Sequence, residues 1–200
     1  MEQIIRIGLP LYFILFFGIT FVVKSIVVSK KIGKSPLVLP KEDSAYGLVG
    51  FYFKIIMIAL LIYAILYSAF PNSYKYLLPI EYLENQYLKY IGIGILNLAL
   101  IWIIIAQNHM KASWRIGIDT KAKTKLIITG LFRISRNPIF FGMILSLIGL
   151  FLLTPNSWTF IFLTLGYVLI QIQIRLEEAF LTKQHGKKYM DYKNKVRRLL

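Results

Sequence analysis

The chain has 200 residues, is 57% hydrophobic and only 16% charged, and carries 24 basic against 9 acidic side chains for a net charge of +15. Soluble domains hold about 25% charged and about 45–50% apolar residues, so this excess, with a mean hydropathy of +0.63, marks a membrane protein and excludes a disordered or collagen-like chain. With no cysteine and only His109 and His185, a disulfide scaffold and thiolate-held zinc or iron–sulfur are excluded, and no metal site is expected.

A bilayer-crossing helix needs about 20 mostly apolar residues. Five stretches are expected to span, at 7–28, 48–70, 91–106, 139–153 and 157–174, and the fourth is short. The first carries Lys24 and the second Lys54. The first is too long for a signal-peptide core and lacks an A-x-A-like cleavage site, so it reads as a retained span. The segment 71–90, with Pro79 and the tyrosines 74, 76, 82, 87 and 90, suits the headgroup layer. Thr154-Pro155-Asn156-Ser157 alone joins the last two spans, which implies a tight antiparallel hairpin. The fold class expected is an all-α integral membrane bundle, with N-terminal spans in 1–107 and a chemistry-bearing region in 108–200.

Charge placement orients the bundle. Most basic residues fall in 30–44 (Lys30, Lys31, Lys34, Lys41), in 109–137 (Lys111, Arg115, Lys121, Lys123, Lys125, Arg133, Arg136) and in the tail from 175 onward. The opposite side holds only Arg6, Lys75 and Lys89. Positive charge marks the cytoplasmic side, which puts the N-terminus outside and the C-terminus in the cytoplasm. Lys24 and Lys54 lie toward the cytoplasmic ends of their spans, where a long stem can snorkel. Nucleic acid would need a water-facing basic surface. Here the basic residues alternate with long apolar runs, so anionic membrane lipids are the expected partner.

Three polar regions carry the candidate chemistry: HMKASWRIGID (109–119), KLIITGLFRISRNPIF (125–140) and QIQIRLEEAFLTKQHGKKYMDY (171–192). Asn137-Pro138 before an apolar run is a helix start. It serves either structure alone, with Arg133 and Arg136 among headgroups, or a ligand facing free N–H groups. Gln171, Arg175 and Glu178 share one helical stripe, and Gln173 and Glu177 a neighbouring one. Such groups are solvated at a helix end or face a cavity. Trp114 reads as an interfacial anchor, and His109 and His185 as solvated groups. Tyr189, Tyr192 and Val196 are spaced to cap the cytoplasmic face or lie on the membrane. Gly92-Ile93-Gly94 lies inside an apolar run without a preceding strand and is no dinucleotide fingerprint. Gly142, Ser146 and Gly149 share a face suited to close helix packing.

In order and spacing these regions resemble the isoprenylcysteine carboxyl methyltransferase family and its bacterial homologues, related to phospholipid methyltransferases. The resemblance covers about 105–198 and rests on LIITGLFRISRNPIF, RLEEAFL and HGKKYMDY. It implies S-adenosylmethionine as cofactor and a lipophilic acceptor entering from the bilayer. The family's Arg-His-Pro-x-Tyr motif reads Arg136-Asn137-Pro138-Ile139-Phe140 here. The alignment implies cofactor contacts from Lys125, Leu126, Ile127, Phe132, Asn137, Pro138, Ile139, Phe140 and Glu177. The acidic pair maps to Glu177 and Glu178. The family's substrate-holding arginine falls on Gln173, which leaves Arg175 as the nearest cation, and Arg175 and Glu178 are the catalytic candidates.

Those residues suit a methyl transfer. A carboxylate such as Glu177 can pair with the cofactor's ammonium group, and Phe132 and Phe140 can lie near its cationic sulfur. In-line alignment can supply up to about 7–11 kcal/mol, and a desolvated carboxylate nucleophile needs no general base. A cation would bring an acidic acceptor into place. Two other readings stand beside this one. A sterol-type reductase would bind NADPH through Lys121, Lys123 and Lys125. A non-catalytic protein would bind anionic lipid through its basic face.

Overall fold

The computed structural model describes residues 1–38, 44–117 and 125–200. Lys41, Asp119, Lys121 and Lys123 of the sequence reading lie outside the described residues. The described residues form α-helices and short helical turns, with isolated bridges but no strands among them. The first rod, Glu2–Ile32, comprises α1 (Glu2–Phe17), a π-helical stretch (Gly18–Val23) and α2 (Lys24–Ile32). Then come α3 (Ala45–Ala69), α4 (Gln86–Met110), α5 (Pro138–Leu153), α6 (Ser157–His185) and α7 (Lys187–Lys195). Helix starts follow local chemistry. Ser44 Oγ accepts from Gly47 N at 3.2 Å, Asn85 Oδ1 from Leu88 N at 2.9 Å, and Asn156 and Thr159 form a reciprocal capping box.

Four helical rods are long and apolar enough to cross a bilayer: Glu2–Ile32, Ala45–Ala69, Gln86–Ser113 and Ser157–His185. The chain is therefore an integral membrane protein. The fourth expected span is helical but has only 16 residues, about 24 Å at 1.5 Å per residue against a hydrocarbon core of about 30 Å. Outward side chains such as Ile7, Leu11, Ile58, Leu98 and Leu165 are exposed, as lipid contact requires.

The short α5 is held by close packing. Gly92, Leu96, Ala99, Ile103 and Ala106 line the buried face of α4. A Cβ placed on Gly92 would sit 2.8 Å from the Gly149 carbonyl oxygen, and one on Gly149 would sit 2.9 Å from Leu96 Cγ. The two backbones approach because neither residue carries a side chain, which is how small residues hold helices together where lipid supplies no hydrophobic drive. Around this pair, Ile5, Leu9 and Phe13 of α1, Leu60 and Ala64 of α3, Leu150 of α5 and Phe162 and Ile170 of α6 make one core.

The two ends of the bundle differ. At one end Tyr63 Oη donates to Thr154 Oγ1 at 2.9 Å and accepts from Asn156 Nδ2 at 2.8 Å. Ile80 N donates to the Pro155 carbonyl at 2.8 Å and pins the 71–90 segment to the α5–α6 turn. Tyr76, Tyr82, Tyr87 and Tyr90 are exposed there, whereas Tyr74 packs edge-on against Tyr67. At the other end Val38 N donates to the Ile116 carbonyl at 2.8 Å, and Ile116 N to the Pro36 carbonyl at 3.0 Å. Tyr189 and Tyr192 are buried with Leu126, so α7 caps this end.

Two side chains depart from expectation. Lys24 does not snorkel outward: it is buried and donates to Asn108 Oδ1 at 3.0 Å, which gives its ammonium an acceptor within the bundle. Trp114 is not a surface anchor. It is buried at 3% exposure, because the 3₁₀ turn Lys111–Ser113 folds the chain back beneath α4.

Candidate functional site

α1 packs on α3, but further along the same rod the π-helical stretch packs on α4 and α2 on the turn after α4. A cavity of about 770 Å³ lies between the first rod, α3, α4, the start of α5 and Gln173 and Glu177 of α6. That is within the range of about 300–1,000 Å³ typical of small-molecule sites. Val22 and Ile26 of the first rod and Ile58 of α3 line it while remaining exposed. Its mouth therefore opens sideways, toward lipid. Phe16, Phe17, Phe21 and Phe53 give it an aromatic, apolar wall.

The inner end is polar. Tyr46, Gln107, Arg115, Arg136, Asn137, Gln173 and Glu177 reach it, Lys54 lines the cavity as an exposed residue one turn before Ile58, and Glu177 is the sole acidic side chain among the described residues lining the cavity. Glu177 Oε1 accepts from Gln173 Nε2 at 2.8 Å. One residue earlier, the Leu176 carbonyl accepts from Tyr46 Oη, which ties the start of α3 to α6 beside Glu177. Gln107 Nε2 donates to the Thr20 carbonyl at 2.9 Å. This bond satisfies a backbone acceptor in the π-helical stretch, an irregularity that occurs often at functional sites.

The wall Arg136–Phe140 is fixed from behind. Arg136 Nη2 lies 2.9 Å from Glu178 Oε1, and Arg198 Nη2 2.9 Å from Glu178 Oε2. Arg136 Nη1 also donates to the carbonyls of Lys193 (2.6 Å) and Val196 (3.1 Å), and Asn137 Nδ2 to that of Arg198 (3.0 Å). Hydrogen bonding to Glu178 holds the Arg198 guanidinium above its ordinary range. Tyr192 Oη donates to the Phe132 carbonyl at 2.6 Å. The C-terminal tail is thus a strap over the segment that forms the wall. Asn137 precedes α5 without a side-chain cap bond, because its amide is engaged by the tail. Gly130 lies at φ +62°, where a Cβ would strike the His109 ring. His109 Nδ1 accepts from Leu131 N at 3.3 Å, so this histidine is a structural acceptor within the turn and not a solvated group.

Of the residues nominated by sequence, Phe132, Asn137, Pro138, Ile139, Phe140 and Glu177 line the cavity together. Lys125, Leu126, Ile127, Arg175 and Glu178 do not. Lys125 is exposed, and Leu126 packs under Tyr189 and Tyr192, with Ile127 next to it in the chain. Arg175 is exposed and donates to the Gln171 carbonyl and to Gln171 Oε1, at 2.7 and 2.9 Å. Glu178 faces its two arginines. Trp114, Tyr46, Gln107 and the π-helical stretch were not nominated. Only the charge of Lys54 inside an apolar run gave any signal for the N-terminal wall.

The site can thus hold a polar, cation-bearing molecule against Glu177 while a lipophilic one reaches in through the mouth. No curated protein matches the chain. The family model for phospholipid methyltransferases matches residues 87–188, which begins in α4 and ends in α7 and includes Phe132, Asn137–Phe140 and Glu177. The chain belongs to the phospholipid methyltransferase family, membrane enzymes that use S-adenosylmethionine.

Proposed function

We propose that the chain transfers a methyl group from S-adenosylmethionine to a lipophilic acceptor in the cavity between the first rod, α3 and the α5–α6 hairpin. The observation that carries this is the pairing, in one cavity, of a lone carboxylate with a lateral apolar mouth. S-adenosylmethionine supplies an electrophilic methyl on a sulfonium centre and presents an ammonium group. The residues present fit it. Glu177, oriented by Gln173, would hold the ammonium, and Phe132 and Phe140 are the aromatic groups that would receive the cationic sulfur. Asn137, Pro138 and Ile139 form a cavity wall that would take the nucleoside. The α5 start is kept in place by Glu178 through Arg136, a positioning role and not contact with reactants.

The division near residue 107 is one of labour: the region 108–200 holds the cofactor, and the spans before it admit the acceptor. α5 completes a five-pass bundle with the N-terminus outside and the basic end, with α7 and the 109–137 segment, at the cytoplasmic face. Water is excluded by the phenylalanine wall, which makes an entering anion more nucleophilic. A carboxylate at the end of an isoprenoid or other long chain is the acceptor that fits best, since it needs no base. Labelled S-adenosylmethionine incubated with the purified enzyme and a membrane lipid extract tests this. Label in an alkali-labile ester supports it, label in a stable N-methyl lipid redirects the acceptor to amines, and no labelled lipid at all contradicts it.

A further inference from the structure

Among the described residues, Lys54 is a charge inside a span with no partner of its own. It lies about two turns into α3 from Tyr46, inside a rod apolar enough to span, and it lines the cavity among Gly50, Phe53, Met57 and Ile58 while remaining exposed, as Ile58 does. An ionisable group at such a position is costly and marks a ligand pathway unless something satisfies it. The other span lysine is satisfied: Lys24 bonds Asn108. Arg136 is engaged by Glu178 and the tail carbonyls. Arg115 bonds the carbonyls of Ala112 and Trp114. Lys54 has no hydrogen-bond or ion-pair partner among the described residues. Arg175, the cation the sequence offered for an acidic acceptor, lies outside the cavity on Gln171.

Resting on the function proposed above, we infer that Lys54 is a specificity-determining residue that binds an anionic group, carboxylate or phosphate, of the lipophilic acceptor at the cavity mouth. With Glu177 committed to the cofactor, Lys54 is the cavity charge left for the acceptor. Its ammonium is a point charge on a flexible stem, so it suits either anion and repels an acceptor whose head is purely cationic. The position also fits: Lys54 lines the same cavity as the phenylalanine wall that takes an alkyl body and the polar groups that take the cofactor.

The test uses the full chain in nanodiscs of phosphatidylcholine, with calorimetric binding of laurate, dodecyl phosphate, dodecanol and S-adenosylhomocysteine. One charge-assisted bond predicts that one or both anions bind at least about tenfold more tightly than dodecanol. Lys54→Met removes that preference, Lys54→Arg keeps it, and S-adenosylhomocysteine binding changes by less than about twofold in either, because neither variant touches the charge-assisted bond at Glu177. The tighter of the two anions names the acceptor's group. A preference that survives Lys54→Met, or is absent from the unmodified enzyme that still binds S-adenosylhomocysteine, overturns the role of Lys54 alone. Failure of the unmodified enzyme to bind S-adenosylhomocysteine overturns the cofactor reading and this inference with it. A purely structural lysine predicts a different pattern, in which Lys54→Met weakens all four ligands together.

Discussion

Glu178 holds the strap, and the cost of removing its charge follows from which arginine is stranded. In Glu178→Gln the Arg136 side chain, 8% exposed, loses its charge partner and is left with neutral acceptors, the Lys193 and Val196 carbonyls among them. Removing one partner of a buried ion pair costs about 3–5 kcal/mol, and the surviving carbonyl bonds place this case near the low end, about 3 kcal/mol. Arg198 differs. Its side chain is 37% exposed, so it can turn to water, and its loss leaves Glu178 paired to Arg136. Arg198→Gln should therefore cost about 1 kcal/mol or less after solvent screening. Replacing both buried charges, Arg136→Met with Glu178→Leu, should recover much of the loss, because no uncompensated charge remains. Unfolding by dodecyl sulfate in mixed micelles, followed by circular dichroism, measures all three. Equal costs for Glu178→Gln and Arg198→Gln, or a double variant worse than either single change, would refute the reasoning.

Gly149→Val should destabilise by at least about 1–3 kcal/mol in the same titration, since even a Cβ there meets Leu96 Cγ at 2.9 Å and overpacking displaces backbone. A similar cost for Gly94→Val, where nothing lies within 4 Å, would contradict the packing account. Burial pushes the Tyr192 hydroxyl up to about 12 from an ordinary value near 10. Its contribution is complete below pH about 10 and is lost as pH rises toward about 12, by roughly 2 kcal/mol. Tyr192→Phe should flatten that part of the alkaline unfolding curve, and an unchanged slope would assign the loss elsewhere.

The apolar runs were legible because lipid-facing and core-facing residues are both apolar, so every span appears as a block of hydropathy. The same property hid the register. Nothing in the composition distinguishes Ile103, which is buried against Gly142, from the exposed Ile101. All six nominated residues that line the cavity fall within 132–140 or at 177, where chain order and spacing carry information. Glu177 and Glu178 are adjacent in sequence, yet they face a cavity and an arginine pair respectively, because neighbours on a helix diverge by about 100° at 3.6 residues per turn. The role of Arg175 was illegible for a related reason: its i−4 neighbour Gln171 offers two acceptors, which capture the guanidinium locally. The wall from the first rod and α3 depends on a π-helical stretch and on a splay between rods. Both are products of tertiary packing with no local sequence signature.

The central claim is that Glu177 receives the cofactor. Calorimetric binding of S-adenosylhomocysteine to the full chain in nanodiscs, compared between Glu177→Gln and Arg175→Gln, tests it most directly. Loss of one charge-assisted hydrogen bond predicts that Glu177→Gln weakens binding by about tenfold to a hundredfold, while Arg175→Gln, outside the cavity, leaves it unchanged. Unaltered affinity in Glu177→Gln, or an equal loss in Arg175→Gln, would contradict the account.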